Sequence, residues 1–136
     1  MLDDRLTADE RRALLYLLTS VALTDGRLTD SEVQFVQRLA LPIAMEVGEL
    51  LTSVDDMVIG DVCARLARPY AARIAILELL RLAHVDDVYA RVEQRAIADL
   101  ATLLGVDEST LSRMEDWVRR EWELLAEARH LVDPSP

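Results

Sequence analysis

Four carboxylates make the most specific chemical pattern in this chain. Asp25 and Glu32 stand in Ala22-Leu-Thr-Asp25-Gly-Arg-Leu28-Thr-Asp-Ser-Glu32, and Asp86 and Glu93 stand in Ala83-His-Val-Asp86-Asp-Val-Tyr89-Ala-Arg-Val-Glu93. A constant offset of 61 residues relates the two segments (86 − 25 and 93 − 32). The first segment matches the back half of a calcium loop, with Asp25 at position five, Gly26 at six, apolar Leu28 at eight and Glu32 at twelve. Positions one and three fall on Val21 and Leu23, which offer no side-chain oxygen. A half-loop supplies two carboxylates and a few carbonyls, whereas Ca²⁺ takes about six to eight oxygens. Two such turns brought together make a four-carboxylate cluster, and like charges at close range imply a bound cation or raised pKa values. Asp25, Glu32, Asp86 and Glu93 are therefore candidate ligands of a divalent metal ion, Ca²⁺ first and Zn²⁺ or Mn²⁺ next. His84 would add a nitrogen and favour a transition metal.

A purely structural reading of the same residues stands beside this one. Thr29-Asp-Ser-Glu32 is a capping box, in which threonine and glutamate satisfy each other's backbone amides at a helix start. Asp25 suits a helix end, and Asp86 can cap the helix that follows it. Glu93 has no box, because Ala90 is a poor cap. Asp87 replaces the first turn's glycine and tolerates a left-handed conformation less well, so the second turn is expected to differ in shape.

The other reactive residues give little. All fifteen basic residues are Arg and none is Lys, which removes Schiff-base lysine chemistry and the phosphate-loop lysine. Cys63 has no nearby His and reads as a buried, inert thiol. Trp117 and Trp122 read as core or rim aromatics of the last helix. Arg65, Arg68 and Arg73, with Arg91 and Arg95, read as solvated helix faces or as a positive patch set against the acidic one. No glycine-rich phosphate loop, Ser–His–Asp order or Cys/His zinc spacing is present, so no enzymatic activity is expected.

The elements that must position these residues are helical. The chain has 136 residues, 51% apolar, with 4 Gly, 4 Pro and few aromatics; that favours one compact domain over disorder. Thr7-Ala-Asp-Glu10 is a capping box that opens a helix to about Thr24, apolar nearly all round and so central. Thr29 opens a second helix, Pro42 a short third to about Leu51, and Asp55 a fourth that stops before Pro69. A fifth runs from about Ala71 to Val85, and a sixth from about Ala90 to Leu104, ending at Gly105. Asp107 caps the last and longest, whose stripe is Leu111, Met114, Val118, Trp122 and Leu125. The expected architecture is an all-α, compact bundle of about seven helices in a single domain, 1–136, with short connections and a frayed tail at 130–136. Repeat units at about 8–41 and 70–105 imply internal pseudo-twofold duplication, which brings equivalent groups together near the axis.

A formal net charge of −10 argues against nucleic acid and anionic membrane as partners and for a cation or a basic protein surface. The acidic, polar N-terminus does not match a secretory signal, and the longest apolar run, Ala13 to Leu23, is too short to span a bilayer. With one unpaired cysteine, a cytoplasmic setting without membrane insertion is expected, as monomer or homodimer.

The segments "ALTDGRLTDSE", "LAHVDDVYARVE" and "LLGVDESTLSRMEDWV" together resemble the tellurite-resistance TerB-like domain, over about Leu14 to Trp122. That domain also forms the N-terminal part of some membrane-anchored J-domain co-chaperones. The resemblance implies a compact fold of about seven helices with internal duplication. It also implies metal-binding acids at the two turns, which on matching positions are Asp25, Glu32, Asp86 and Glu93. It further implies a stress-response role near the inner face of the membrane, in company with protein partners. Asp87 departs from the family, where glycine is frequent. The leading expectation is a non-enzymatic, metal-responsive interaction module. The alternatives are a metal-free adaptor with an apolar or Arg-lined docking face, and a metal-dependent hydrolase using His84.

Overall fold

A computed structural model describes residues 2–25, 28–53, 57–85 and 91–133, apart from the side chains of Asp25, Arg91 and Val92. The described residues are all-α. They form seven α-helices and no strand: α1 (Ala8–Ala22), α2 (Asp30–Ala40), α3 (Val47–Ser53), α4 (Ile59–Ala64), α5 (Pro69–Ala83), α6 (Arg91–Leu103) and α7 (Glu108–Val132). Short 3-10 turns sit at Leu2–Arg5, Leu23–Asp25 and Leu41–Ile43. No described helix is long and apolar enough to cross a membrane.

Local chemistry explains most helix starts. Thr7 and Thr29 each accept a hydrogen bond from the amide three residues on, and Glu10 and Glu32 each accept one from the threonine amide at 2.9 Å. Both capping boxes are thus complete, and each satisfies backbone donors that a helix start leaves orphaned. Pro69 opens α5 two residues earlier than the sequence reading places it; its missing N–H costs nothing at the first helical position. Asp107 accepts from the Thr110 amide at 2.7 Å, and that bond holds its carboxyl below the usual range. Between α6 and α7, Gly105 takes φ +74°, the left-handed conformation that ends helices and that a side chain opposes.

One helix differs from expectation. Pro42 starts only the 3-10 turn Leu41–Ile43, because Ala44 is left-handed (φ 53°) and breaks the chain there. The third helix begins instead at Val47. The expected cap Asp55 lies outside the described residues, as do Gly26, Asp87, Ala90 and residues 134–136 of the tail. The helix α7 continues through residues 130–132.

α1 is the hub. It packs on α2, α3, α4, α5 and α6, and Leu14, Leu15, Leu17 and Leu18 are fully buried on all its sides. Each such leucine contributes about 2 kcal/mol by leaving water. α5 is its counterpart, with Ile76, Leu79 and Leu80 fully buried, and it carries α7 on its outer side. The N-terminal turn is strapped down by Arg11, itself buried, which donates to the Asp3 carboxylate and carbonyl (both 2.8 Å) and to the Leu39 carbonyl (3.3 Å). A buried guanidinium so saturated carries no unpaired charge.

The helix bounds follow the offset seen in the sequence. Ala8 and Ala22 bound α1, and Pro69 and Ala83, each 61 residues on, bound α5; Asp30 starts α2 and Arg91, again 61 on, starts α6. Leu18 and Leu79, and Val36 and Ile97, are fully buried pairs at that spacing.

Candidate functional site

The acidic turns come first. Glu32 lies on the first turn of α2 with its side chain folded back on Thr29, and it is only 4% exposed. Glu93 lies on the first turn of α6 at the equivalent register and is 8% exposed. Buried carboxylates are uncommon and require partners, so two at one register position are a structural signal beyond what either gives alone. α6 packs against the Leu23–Asp25 turn, so the helix carrying Glu93 meets the turn carrying Asp25. Asp86 and the Asp25 side chain lie outside the described residues, and no group of three or more ligating side chains occurs among the described ones. His84, the residue after α5, has Nδ1 at 2.8 Å from the Leu80 carbonyl. A carbonyl only accepts, so Nδ1 carries the proton, and the ring is oriented from its own helix.

A second constellation, outside the sequence-selected residues, lies where α2, α5 and α7 meet. Glu78 on α5 is 1% exposed. Its Oε1 accepts from Arg81 at 2.9 Å, while Oε2 is buried with no hydrogen-bond partner among the described residues. Burial pushes its pKa up, and the Arg81 charge only partly opposes this. Arg81 also donates through Nε to Glu121 of α7 at 2.9 Å, joining the two helices. Above this pair opens a cleft of about 500 Å³ lined by Phe35 and Arg38 of α2, Arg81 of α5, Val85 just after it, and Trp122 and Arg129 of α7, among others. The Arg38 guanidinium lies over the Phe35 ring at 5.0 Å and that of Arg129 over the Trp122 ring at 5.5 Å. Such stacking holds a long side chain in place without neutralising it. The signal available in sequence was spacing: Phe35 and Arg38 are three apart and Trp122 and Arg129 seven apart, each pair on one helix face.

A larger cleft of about 910 Å³ lies on the other side of α7, between Leu2, Arg73, Leu77, Arg113, Trp117 and Arg120. Its lining likewise holds three guanidiniums and one carboxylate, Asp116, which pairs with Arg120 and with Arg119. Trp117 and Trp122 are therefore cleft-wall aromatics. Of the arginines grouped by sequence, Arg68 is committed to Glu10, which it meets through two nitrogens at 2.8 and 3.0 Å. Arg65 and Arg73 are exposed. Cys63 is buried, and burial raises its thiol pKa, which suits an inert side chain. No protein-family model matches this chain, and comparison with curated proteins and with solved structures gives no match either.

Proposed function

We propose that this protein is a non-enzymatic, helical interaction module in which a divalent cation, held between two acidic turns, locks one helical unit to the other and so controls engagement of protein partners. The reading is carried by the placement of Glu32 and Glu93, both buried at equivalent positions of α2 and α6. The packing of α6 on the Leu23–Asp25 turn supports it, as does the resemblance of both turns to TerB-like domains. The donor set fits: Asp25, Glu32, Asp86 and Glu93 offer hard carboxylate oxygens suited to Ca²⁺, then Mn²⁺, with Zn²⁺ drawing on His84. When bound, the ion would supply electrostatic cross-linking and no turnover. The capping bond from the Thr29 amide orients the Glu32 carboxylate.

A second reading is a metal-free adaptor. It is favoured by the completed capping box at Glu32 and by the apolar face left open on the outer half of α7, where Leu124, Leu131 and Val132 are 65%, 74% and 84% exposed. One experiment separates the two. Chelator-treated protein is melted with Ca²⁺, Mg²⁺, Mn²⁺ or Zn²⁺, beside a variant carrying Asp25→Asn, Asp86→Asn and Glu93→Gln. An ion at a hundred times its dissociation constant adds about 2.7 kcal/mol if it binds only the folded state. A rise in wild type that the variant lacks supports the metal-locked module. No rise with any ion, or an equal rise in the variant, rejects the site and leaves the adaptor.

A further inference from the structure

We propose that the cleft between α2, α5 and α7 is a binding site for a small organic anion: a carboxylate or similar anionic head on a flat apolar body. The site is separate from the acidic turns and does not depend on their binding a metal.

Charge is the first argument. The chain as a whole carries −10, yet three guanidiniums, Arg38, Arg81 and Arg129, converge on this one cleft, where the lining carboxylate is Glu121. Glu121 is already bonded to Arg81. Among the described residues no carboxylate hydrogen-bonds to Arg38 or Arg129, though the Arg38 charge is felt by the buried Glu78; each guanidinium stacks on an aromatic wall, Phe35 or Trp122. Arginines held over rings keep their outer N–H edges for a ligand, and their planar fork matches a carboxylate. Arg81 is held from below by the buried Glu78 and from the side by Glu121, so its position is set before any ligand arrives.

The walls supply the second argument. Phe35, Trp122, Val85 and Leu125 give the cleft an apolar lining between the charges. Flat rings beside guanidiniums suit a planar hydrocarbon body with a single charged end. Size is the third argument. About 500 Å³ falls within the range of small-molecule sites, about 300–1,000 Å³. On α2 the lining spans Ser31 to Arg38, about 10 Å of helix at 1.5 Å per residue. That length holds a bicyclic acid and covers fewer than two turns of a docked helix. The larger cleft beside Trp117 also carries three guanidiniums and one carboxylate, Asp116, but among the described residues no guanidinium is stacked on Trp117 as Arg129 is on Trp122.

The probe is 2-naphthoate, with uncharged 2-naphthamide as its shape match, inorganic phosphate as a bare anion, and an acidic leucine-rich peptide as the protein-segment alternative. Binding to the full chain is followed by calorimetry and by the two tryptophan indole N–H signals. Trp122 reports this cleft and Trp117 the other. The expected result is saturable binding of 2-naphthoate that moves Trp122 and leaves Trp117 in place, with 2-naphthamide about tenfold weaker or more. Arg38→Gln and Arg129→Gln, both at exposed positions, each weaken binding about fivefold or more, while Arg113→Gln in the neighbouring cleft does not. Phosphate competing as well as 2-naphthoate overturns the apolar part of the proposal. Equal binding of the amide, or no saturable shift of Trp122, overturns it entirely. A Trp122 shift with the peptide and none with 2-naphthoate also overturns it, making the cleft a protein-docking groove.

Discussion

Glu10→Gln isolates the ion pair that ties the first helix to the start of the fifth. Glu10 does two things at once. Its Oε1 accepts from the Thr7 amide at 2.9 Å to close the capping box, and both its oxygens accept from Arg68. Gln keeps the first role, since it serves at this position of a capping box, and it removes the charge from the second. Arg68 holds the Glu10 carboxyl at about 2, against an ordinary value of 4.5. A gap of about 2.5 at about 1.4 kcal/mol per pH unit sets a ceiling near 3.5 kcal/mol. The Arg68 side chain is 46% exposed, so water and salt screen the pair, and about 1.5 kcal/mol is the expected cost of Glu10→Gln at pH 7. For a domain of this size that is about 5 °C in Tm. A depressed carboxyl contributes stability that is full above its unfolded value and is lost as pH falls through the folded one. The gap between wild type and Glu10→Gln should therefore be constant above about pH 5 and close steadily toward pH 2. Urea denaturation of wild type, Glu10→Gln, Arg68→Gln and the double variant at pH 7, 5 and 3 measures this. A gap that stays the same at pH 3, or a double-mutant coupling near zero at pH 7, refutes the assignment and returns the stability to the cap or to packing.

Two further outcomes test the connections. Gly105→Ala should cost about 1 kcal/mol; an added Cβ meets nothing within 4 Å there, so the whole loss is backbone strain at φ +74°, and Gly105→Asn should recover part of it in the same urea titration. Thr29→Ala should cost about 1 kcal/mol in metal-free protein by removing the cap on α2, and a melt showing no loss would mean that the Glu32 carboxylate, rather than the box, holds that helix start.

The capping boxes at Thr7 and Thr29, the Gly105 stop and the Asp107 cap were legible because each is a contact over three or four residues, complete within its own short motif. The expected all-α bundle followed from those signals together with the apolar period. The third helix was misplaced because nothing in Leu41-Pro-Ile-Ala44 announces a left-handed alanine; that conformation is imposed by how the chain must turn to pack. The stripe on α7 was legible as a pattern, but not its reach. Val118 is buried, whereas Leu125 is 45% exposed, because α7 outruns the helices beneath it. The Glu78–Arg81–Glu121 link spans 43 residues (121 − 78). A contact of that range has no local signature, and only the crossing of α5 and α7 creates it.

The two candidate sites stand in opposite relation to the offset of 61 residues. The acidic turns keep it: Glu32 and Glu93 share a register and are both buried. The cleft breaks it at every charged or aromatic position that can be compared. Phe35 and Arg38 correspond to Ala96 and Asp99, and Glu78 and Arg81 correspond to Leu17 and Ser20. Fully buried Leu18 and Leu79 keep the same chemistry at this offset. Leu17 also shows what the position of Glu78 holds when only packing matters, a fully buried aliphatic side chain. Placing a carboxylate there, with one oxygen unbonded among the described residues, costs stability that an apolar residue would not. That cost has a structural use where α7 crosses α5: Glu78 fixes Arg81, and Arg81 fixes Glu121 beside the two stacked arginines. The 61-residue offset thus covers buried scaffold positions such as Leu18 and Leu79 and the acids Glu32 and Glu93, whereas the cleft between α2, α5 and α7 is built at positions whose equivalents differ.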